Sequence, residues 1–162
     1  MTLKELSLQL PNRPGALVRV ARILAREQIN LAAISVDSTR TRGRVRLVVS
    51  DPTKARRLLE EAGYAVETQE LIAVRLEDRA GSFLKVLDAL ASANVNVVSV
   101  AILVAKEGAQ SLVGLSTDDM ARARKVLREG GFVAEAVERL ISNADLIAAA
   151  PAIPAESVGL LL

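Results

Sequence analysis

Cysteine and histidine are both absent from the 162 residues of this chain, and aromatic side chains make up only 2% of it. Each absence removes a class of chemistry. Without cysteine there are no disulfides and no thiolate nucleophile, and without histidine there is no imidazole general base. The usual nitrogen and sulfur ligands of zinc are missing as well, so neither a metal site nor a cofactor is expected. So few aromatics provide no row of platforms on which nucleic-acid bases stack, and nucleic acid is not an expected partner. The start, MTLKELSLQL, has neither a basic segment followed by a long apolar run nor a cleavage site. Together with the missing cysteines this gives the expectation of a cytoplasmic chain without a membrane span.

What is present is aliphatic: 51% of residues are hydrophobic and 25% charged, enough for a packed core of Leu, Val, Ile and Ala. The net charge of +2 is unevenly spread, with 12 Lys and Arg against 8 Asp and Glu in residues 1–70, and 9 against 11 in residues 71–162. The one dense basic run is Arg40, Arg42, Arg44 and Arg46, which alternation along a strand lines up on a single face. A solvated face is its plain reading, and an anion or nucleic-acid contact the sharper one.

The chain repeats itself. LPNRPGALVRVARILAREQIN, ending at Asn30, aligns with LEDRAGSFLKVLDALASANVN, ending at Asn96, at a constant offset of 66. Leu10, Arg13, Gly15, Val20, Leu24, Ala25 and Asn30 meet the identical Leu76, Arg79, Gly81, Val86, Leu90, Ala91 and Asn96. Further on, ARRLLEEAGY matches ARKVLREGGF at an offset of 68, so the second copy carries two extra residues, placed by AKEGAQ in a turn.

Within each copy the apolar period changes in order. Leu6, Leu8 and Leu10 alternate as in a half-buried strand, Pro-Gly punctuates, and Leu17, Val20, Ala21 and Leu24 recur at helical spacing until Ile29-Asn30. Asparagine there suits a left-handed helix end. Ile34 and Val36, then Val45, Leu47 and Val49 across the polar turn at Gly43, make a hairpin. Asp51-Pro52 opens a second helix carrying Ala55, Leu58, Leu59 and Ala62, which Gly63 ends, and a last strand follows around residues 65–68. The order βαββαβ is α+β and ferredoxin-like: a four-stranded antiparallel sheet with both helices on one face, twice in tandem. The divisions are residues 1–70, residues 71–137 and an apolar C-terminal tail of residues 138–162. Units of this size bury little surface alone, so the copies are expected to pack together, with a taut junction at Glu70-Leu71.

A strand, then N-R-P-G-A-L or D-R-A-G-S-F opening a helix, then I-N or V-N before the next strand, resembles the pattern of ACT domains, over residues 3 to about 137. The resemblance implies a small-molecule site, usually for an amino acid, in the crevice between the first strand–helix loop and a neighbouring domain, with allosteric effect on an enzyme or regulator. It implies as ligand contacts Asn12, Arg13, Pro14, Gly15, Ala16 and Leu17 with Asn30 and Leu31 in the first copy. In the second it implies Asp78, Arg79, Ala80, Gly81, Ser82 and Phe83 with Asn96 and Val97. Physical chemistry supports such a site, because a helix start offers unpaired N–H groups and partial positive charge to a carboxylate, while Asn12 or Asp78 accepts from an ammonium. The alternatives are structural: glycines for a tight turn, Asn12 and Asp78 as helix caps, Asn30 and Asn96 as helix ends.

The copies differ, since Asn12 becomes Asp78 and Pro14 becomes Ala80, and unequal sites are expected. The helix-free sheet face carries Arg44 and Arg46 in one copy but Leu112 and Gly114, beside Ala101 and Leu103, in the other. Exposed leucines there would call for a cover, either the tail or a second chain in a homo-oligomer such as a dimer. Functionally the leading expectation is a non-enzymatic, amino-acid-binding regulator of amino-acid metabolism, and the alternative is a regulatory small subunit with a partner enzyme. The enzyme-class alternative is an acylphosphatase-like hydrolase using Arg13 with Asn30, or Arg79 with Asn96, although the phosphate-cradling loop of such enzymes is missing.

Overall fold

The computed structural model of the chain describes residues 3–77, 79–103 and 110–134. Asp78, residues 104–109, where the two extra residues fall, and the tail after Ala134 lie outside the described residues. The elements are β1 (Leu3–Pro11), α1 (Ala16–Arg26), β2 (Leu31–Ser38), β3 (Arg42–Val49), α2 (Pro52–Glu61), β4 (Val66–Glu77), α3 (Ser82–Ser92), β5 (Val97–Leu103), β6 (Gln110–Thr117) and α4 (Met120–Glu129). Their order is the one expected from the repeat.

The helices begin and end by the same devices in both units. Asp51 caps α2 by accepting from Lys54 N–H at 2.9 Å, with Pro52 behind it, and Asp119 accepts from Arg122 N–H at 2.9 Å to cap α4. At the C-terminal ends of α1 and α3 the left-handed residues are Gln28 and Asn94, both at φ 55°, not the expected Asn30 and Asn96. Burial sets the stop: Ile29 N–H reaches back to Leu24 O and Val95 N–H to Leu90 O, each at 2.9 Å, which tucks Ile29 and Val95 into the core. That six-to-one bond requires the left-handed turn one residue earlier.

The expected four-stranded sheet of the first unit, β2-β3-β1-β4, runs on into the strands of the second, so that the described strands form one six-stranded sheet in the order β2-β3-β1-β4-β6-β5. The reason lies in β4. Residues 66–71 of this single 12-residue strand pair antiparallel with β1 as the last strand of the first unit, and residues 72–77 pair with β6 as the first strand of the second. The taut junction at Glu70-Leu71 is thus continuous strand. After α4 the chain returns alongside β4, where Arg75 N–H donates to Phe132 O and Ala134 N–H to Ala73 O, each at 2.9 Å.

Each unit has a core under its helices. The first gathers Leu6, Leu8, Leu10, Val45, Leu47 and Val49 beneath Val20, Leu24, Ala55 and Leu59, and the second gathers Ile72, Val74, Leu76, Val113 and Leu115 beneath Val86, Leu90, Ala123 and Leu127. The opposite face holds the correction. Leu112 and Leu103, expected to be exposed, are 2% and 3% accessible, packed with Leu71, Ala73 and Ala134 against Leu3, Ala32 and Val48 of the first unit. The sheet curls until its end strands β2 and β5 touch, and its helix-free faces cover each other. No outside cover is needed for those leucines, and each contributes about 1.5–3 kcal/mol by burial.

The interleaving is tight at Gly114, where an added Cβ would lie 2.8 Å from Leu71 Cδ1 and 3.4 Å from Leu3 Cδ2. Polar groups share this interior. Buried Glu5, 4% accessible, stands opposite the exposed Gln69, whose amide donates to the buried Ser116 Oγ, and Ser116 stands opposite the half-buried Ser99. Glu5 Oε1 and Ser99 Oγ have no hydrogen-bond partner among the described residues. Arg44 and Arg46 lie on this helix-free face as expected, and Arg46 is spent on Ser35 and Asp37.

Two predictions follow from this interior. Gly114→Val, which drives a branched side chain into Leu71, should lower unfolding free energy by about 1–3 kcal/mol in urea titration, with secondary structure retained. Burial pushes the Glu5 carboxyl up, against a smaller downward pull from Arg46. A carboxyl whose folded-state pKa is raised weakens the fold as pH rises from the ordinary glutamate value through the raised one, and costs nothing below both. Glu5→Gln should therefore stabilise the protein at neutral pH and lose that advantage as the buffer is taken below the ordinary glutamate pKa.

Candidate functional site

The two strand–helix loops are built alike. Gly15 and Gly81 are the N-cap residues of α1 and α3, at φ 83° and 84°, with no side chain capping either helix. The left-handed conformation costs another residue roughly 1–2 kcal/mol, so both positions select glycine. Nothing lies within 4 Å of a Cβ added at either one, which leaves the backbone open to approach. Ala16 N–H turns back on Arg13 O and Ser82 N–H on Arg79 O, both at 3.2 Å.

Asn12 is not a helix cap. Its Nδ2 donates to Thr39 O at 2.8 Å and its N–H to Thr41 O at 3.0 Å, tying the loop to the β2–β3 turn. Pro14 and Ala80 are exposed, as is Leu17, while Ala16 and Phe83 are half-buried against their cores. Ser82 is buried and its Oγ has no partner among the described residues. Arg79 is exposed and pairs with Glu77 at 2.6 Å on the surface. Asp78 lies outside the described residues.

Asn30 and Asn96 are elsewhere. Pro11, which leads into the first loop, pairs with Arg42 at one end of β3, whereas Leu31, next to Asn30, pairs with Val49 at the other end. Asn30 N–H donates to Ser50 Oγ at 2.9 Å and Asn96 N–H to Asp118 Oδ1 at 2.9 Å, so both tie the start of one strand to the end of another. Leu31 is exposed, and Val97 packs half-buried against the second core. Arg13 and Asn30 therefore do not meet within a unit, and the acylphosphatase-like alternative loses its pair.

A cleft opens beside each loop. The first, about 520 Å³, is lined by Pro14, Val18 and Tyr64 together with Arg13, Arg19 and Arg22. The second, about 250 Å³, is lined by Arg75, Glu77, Arg79, Ser82, Lys85 and Phe132. Sequence reasoning placed the loops but missed Tyr64, Phe132 and the arginines one and two turns into α1. A signal existed: of three aromatic residues in the chain, two, Tyr64 and Phe132, occupy the same repeat position. Among the described residues no group of acids, histidines or cysteines can hold a metal ion, and no helix is long and apolar enough to cross a membrane.

The sequence model of a family described as ACT domain pair matches residues 1–142. A solved protein from Bacteroides thetaiotaomicron is 28% identical with a TM-score of 0.76, over 82% of this chain and 91% of that one. The regulatory subunit of aspartate kinase from Thermus thermophilus is 18% identical with a TM-score of 0.56, over 79% and 91%. That of Thermus flavus is 16% identical with a TM-score of 0.53, over 81% and 94%. The last two likenesses speak for the fold alone. No curated protein matches the chain.

Proposed function

The chain belongs to the family of ACT domain pairs, and on that premise we propose that it is a regulatory protein that binds a small molecule, an amino acid or another small carboxylate, and acts allosterically in amino-acid metabolism. It is not itself an enzyme. The observation that carries the reading is the recurrence, in both units, of a left-handed glycine at an exposed helix start with an open cleft beside it. A helix start attracts a carboxylate through its N–H groups and dipole. The unequal clefts support unequal binding by the two units.

As the family's sites lie against a neighbouring domain, and Asn30 and Asn96 are remote from the loops of their own units, a second copy of the chain completes the site in this reading. The exposed Ile34 and Val36 on β2, with Val98, Val100 and Ile102 on β5, support such an association, because apolar edge strands seek partners. The likeness in fold to aspartate kinase regulatory subunits supports the second reading, a small subunit that controls a biosynthetic enzyme. Co-purification of a catalytic protein with the chain would favour it. A cytoplasmic location agrees with the absence of cysteine.

A thermal-shift screen of the twenty amino acids tests the reading. A ligand specific to the folded state and present at 100 times its dissociation constant stabilises by about 2.7 kcal/mol. The expected result is a selective rise in Tm that Gly15→Ala or Gly81→Ala abolishes while the unliganded protein still melts cooperatively. No rise with any amino acid would leave the amino-acid reading without support.

A further inference from the structure

The two clefts occupy equivalent positions in the repeat, yet their charges have diverged. In the first, Arg13, Arg19 and Arg22 share the lining with apolar residues, no acidic residue lines the cleft, and none of the three has an ion-pair partner among the described residues. Most arginines elsewhere on the surface of the helices are paired, as Arg56 is with Glu60, Arg57 with Glu61, Arg122 with Asp119 and Arg124 with Glu70. In the second unit, Glu77 stands where Pro11 stands in the first and neutralises Arg79 at 2.6 Å, and Asp88 replaces Arg22.

Arg19 and Arg22 are three residues apart on α1, so their side chains are neighbours on one helix surface and repel one another. Arg13 adds a third positive charge from the loop. Among the described residues no acidic side chain lines the cleft to offset this concentration, which raises the local potential and favours a small anion over water. A neutral amino acid suits the cleft poorly, because its ammonium would enter a positive field with no carboxylate to receive it. A group with two negative charges suits it well: guanidiniums grip phosphoryl and carboxylate oxygens by forked, charge-assisted hydrogen bonds. The lining by Pro14, Val18 and Tyr64 leaves room for an apolar body beside the anionic head.

We infer that the cleft of the first unit is a site for a small dianion, bearing either a phosphoryl group or two carboxylates, held by Arg13, Arg19 and Arg22. The inference rests on the small-carboxylate reading of this loop and narrows it: the first unit takes a dianion, and an amino acid is left to the cleft of the second unit, where Gly81→Ala reports on it separately.

The test is calorimetric titration of the full chain with inorganic phosphate, with succinate and with glycine, at low ionic strength. Saturable binding of phosphate or succinate at one site per chain is expected, the two arms separating a phosphoryl from a dicarboxylate source, with no displacement by glycine. Arg19→Gln/Arg22→Gln should weaken it by at least about tenfold, as expected for lost hydrogen bonds to a charged group. Lys85→Gln, in the second cleft, should leave it unchanged. Arg19→Lys/Arg22→Lys, which keeps charge but loses the fork, should fall between wild type and the glutamine variant, with helical circular dichroism intact in all. No saturable binding of either dianion, equal binding by the glutamine variant, or displacement by glycine would overturn the inference.

Discussion

Everything else in this molecule depends on one strand being shared. β4 is too long for either unit alone, and its two halves are hydrogen-bonded to different units, β1 alongside residues 66–71 and β6 alongside residues 72–77. A peptide that is continuous strand through the boundary cannot act as a hinge, because bending it would break ladder bonds on both sides. The side chains of β4 alternate, so Ile72, Val74 and Leu76 enter the core beneath α3 and α4 while Leu71 and Ala73 enter the layer between the units. Removing one unit would expose that second set, although each unit keeps the core beneath its own helices.

The same strand relates the two clefts. Tyr64, in the lining of the first, lies two residues before β4 begins, and Arg75 and Glu77, beside the second, lie at its end. The clefts are therefore at opposite ends of one rigid element. In a regulatory reading, a ligand that shifts Tyr64 acts on the start of the strand whose far end carries the other cleft, a physical line for coupling without any moving linker. A polar row from Glu5 through Gln69 and Ser116 to Ser99 crosses between the units, and Glu5 Oε1 and Ser99 Oγ have no hydrogen-bond partner among the described residues. Burial of its leucines stabilises the layer between the units.

Much of this was legible in the sequence, and the failures have physical causes. The offset of 66 and the alternation of Leu6, Leu8 and Leu10 fixed the element order, because period and punctuation are local properties. Asp51-Pro52 and Gly63 likewise announced helix ends through chemistry carried by single residues. The helix ends at Gln28 and Asn94 were misplaced because burial of Ile29 and Val95 decided them, and burial is not local. That the two sheets join through one strand was not legible for a related reason: nothing in the residues 65–77 distinguishes two short strands from one long one, and the choice rests on partners distant in sequence. Leu112 and Leu103 read as exposed because one unit was considered at a time. The loops at Gly15 and Gly81 were recognisable from spacing, whereas the aromatic and arginine linings of the clefts were not, being assembled from α1 and from residues after α2 and α4.

Native-state hydrogen exchange along β4 tests the fusion of the units most directly. If the shared strand makes them one cooperative body, amides of residues 67–76 that are bonded to β1 and those bonded to β6 should exchange with the same, largest opening free energy, and both should fall together with added denaturant. Two classes of amides in β4, the β1-bonded half opening at one free energy and the β6-bonded half at another, would contradict it and return the molecule to two domains on a string.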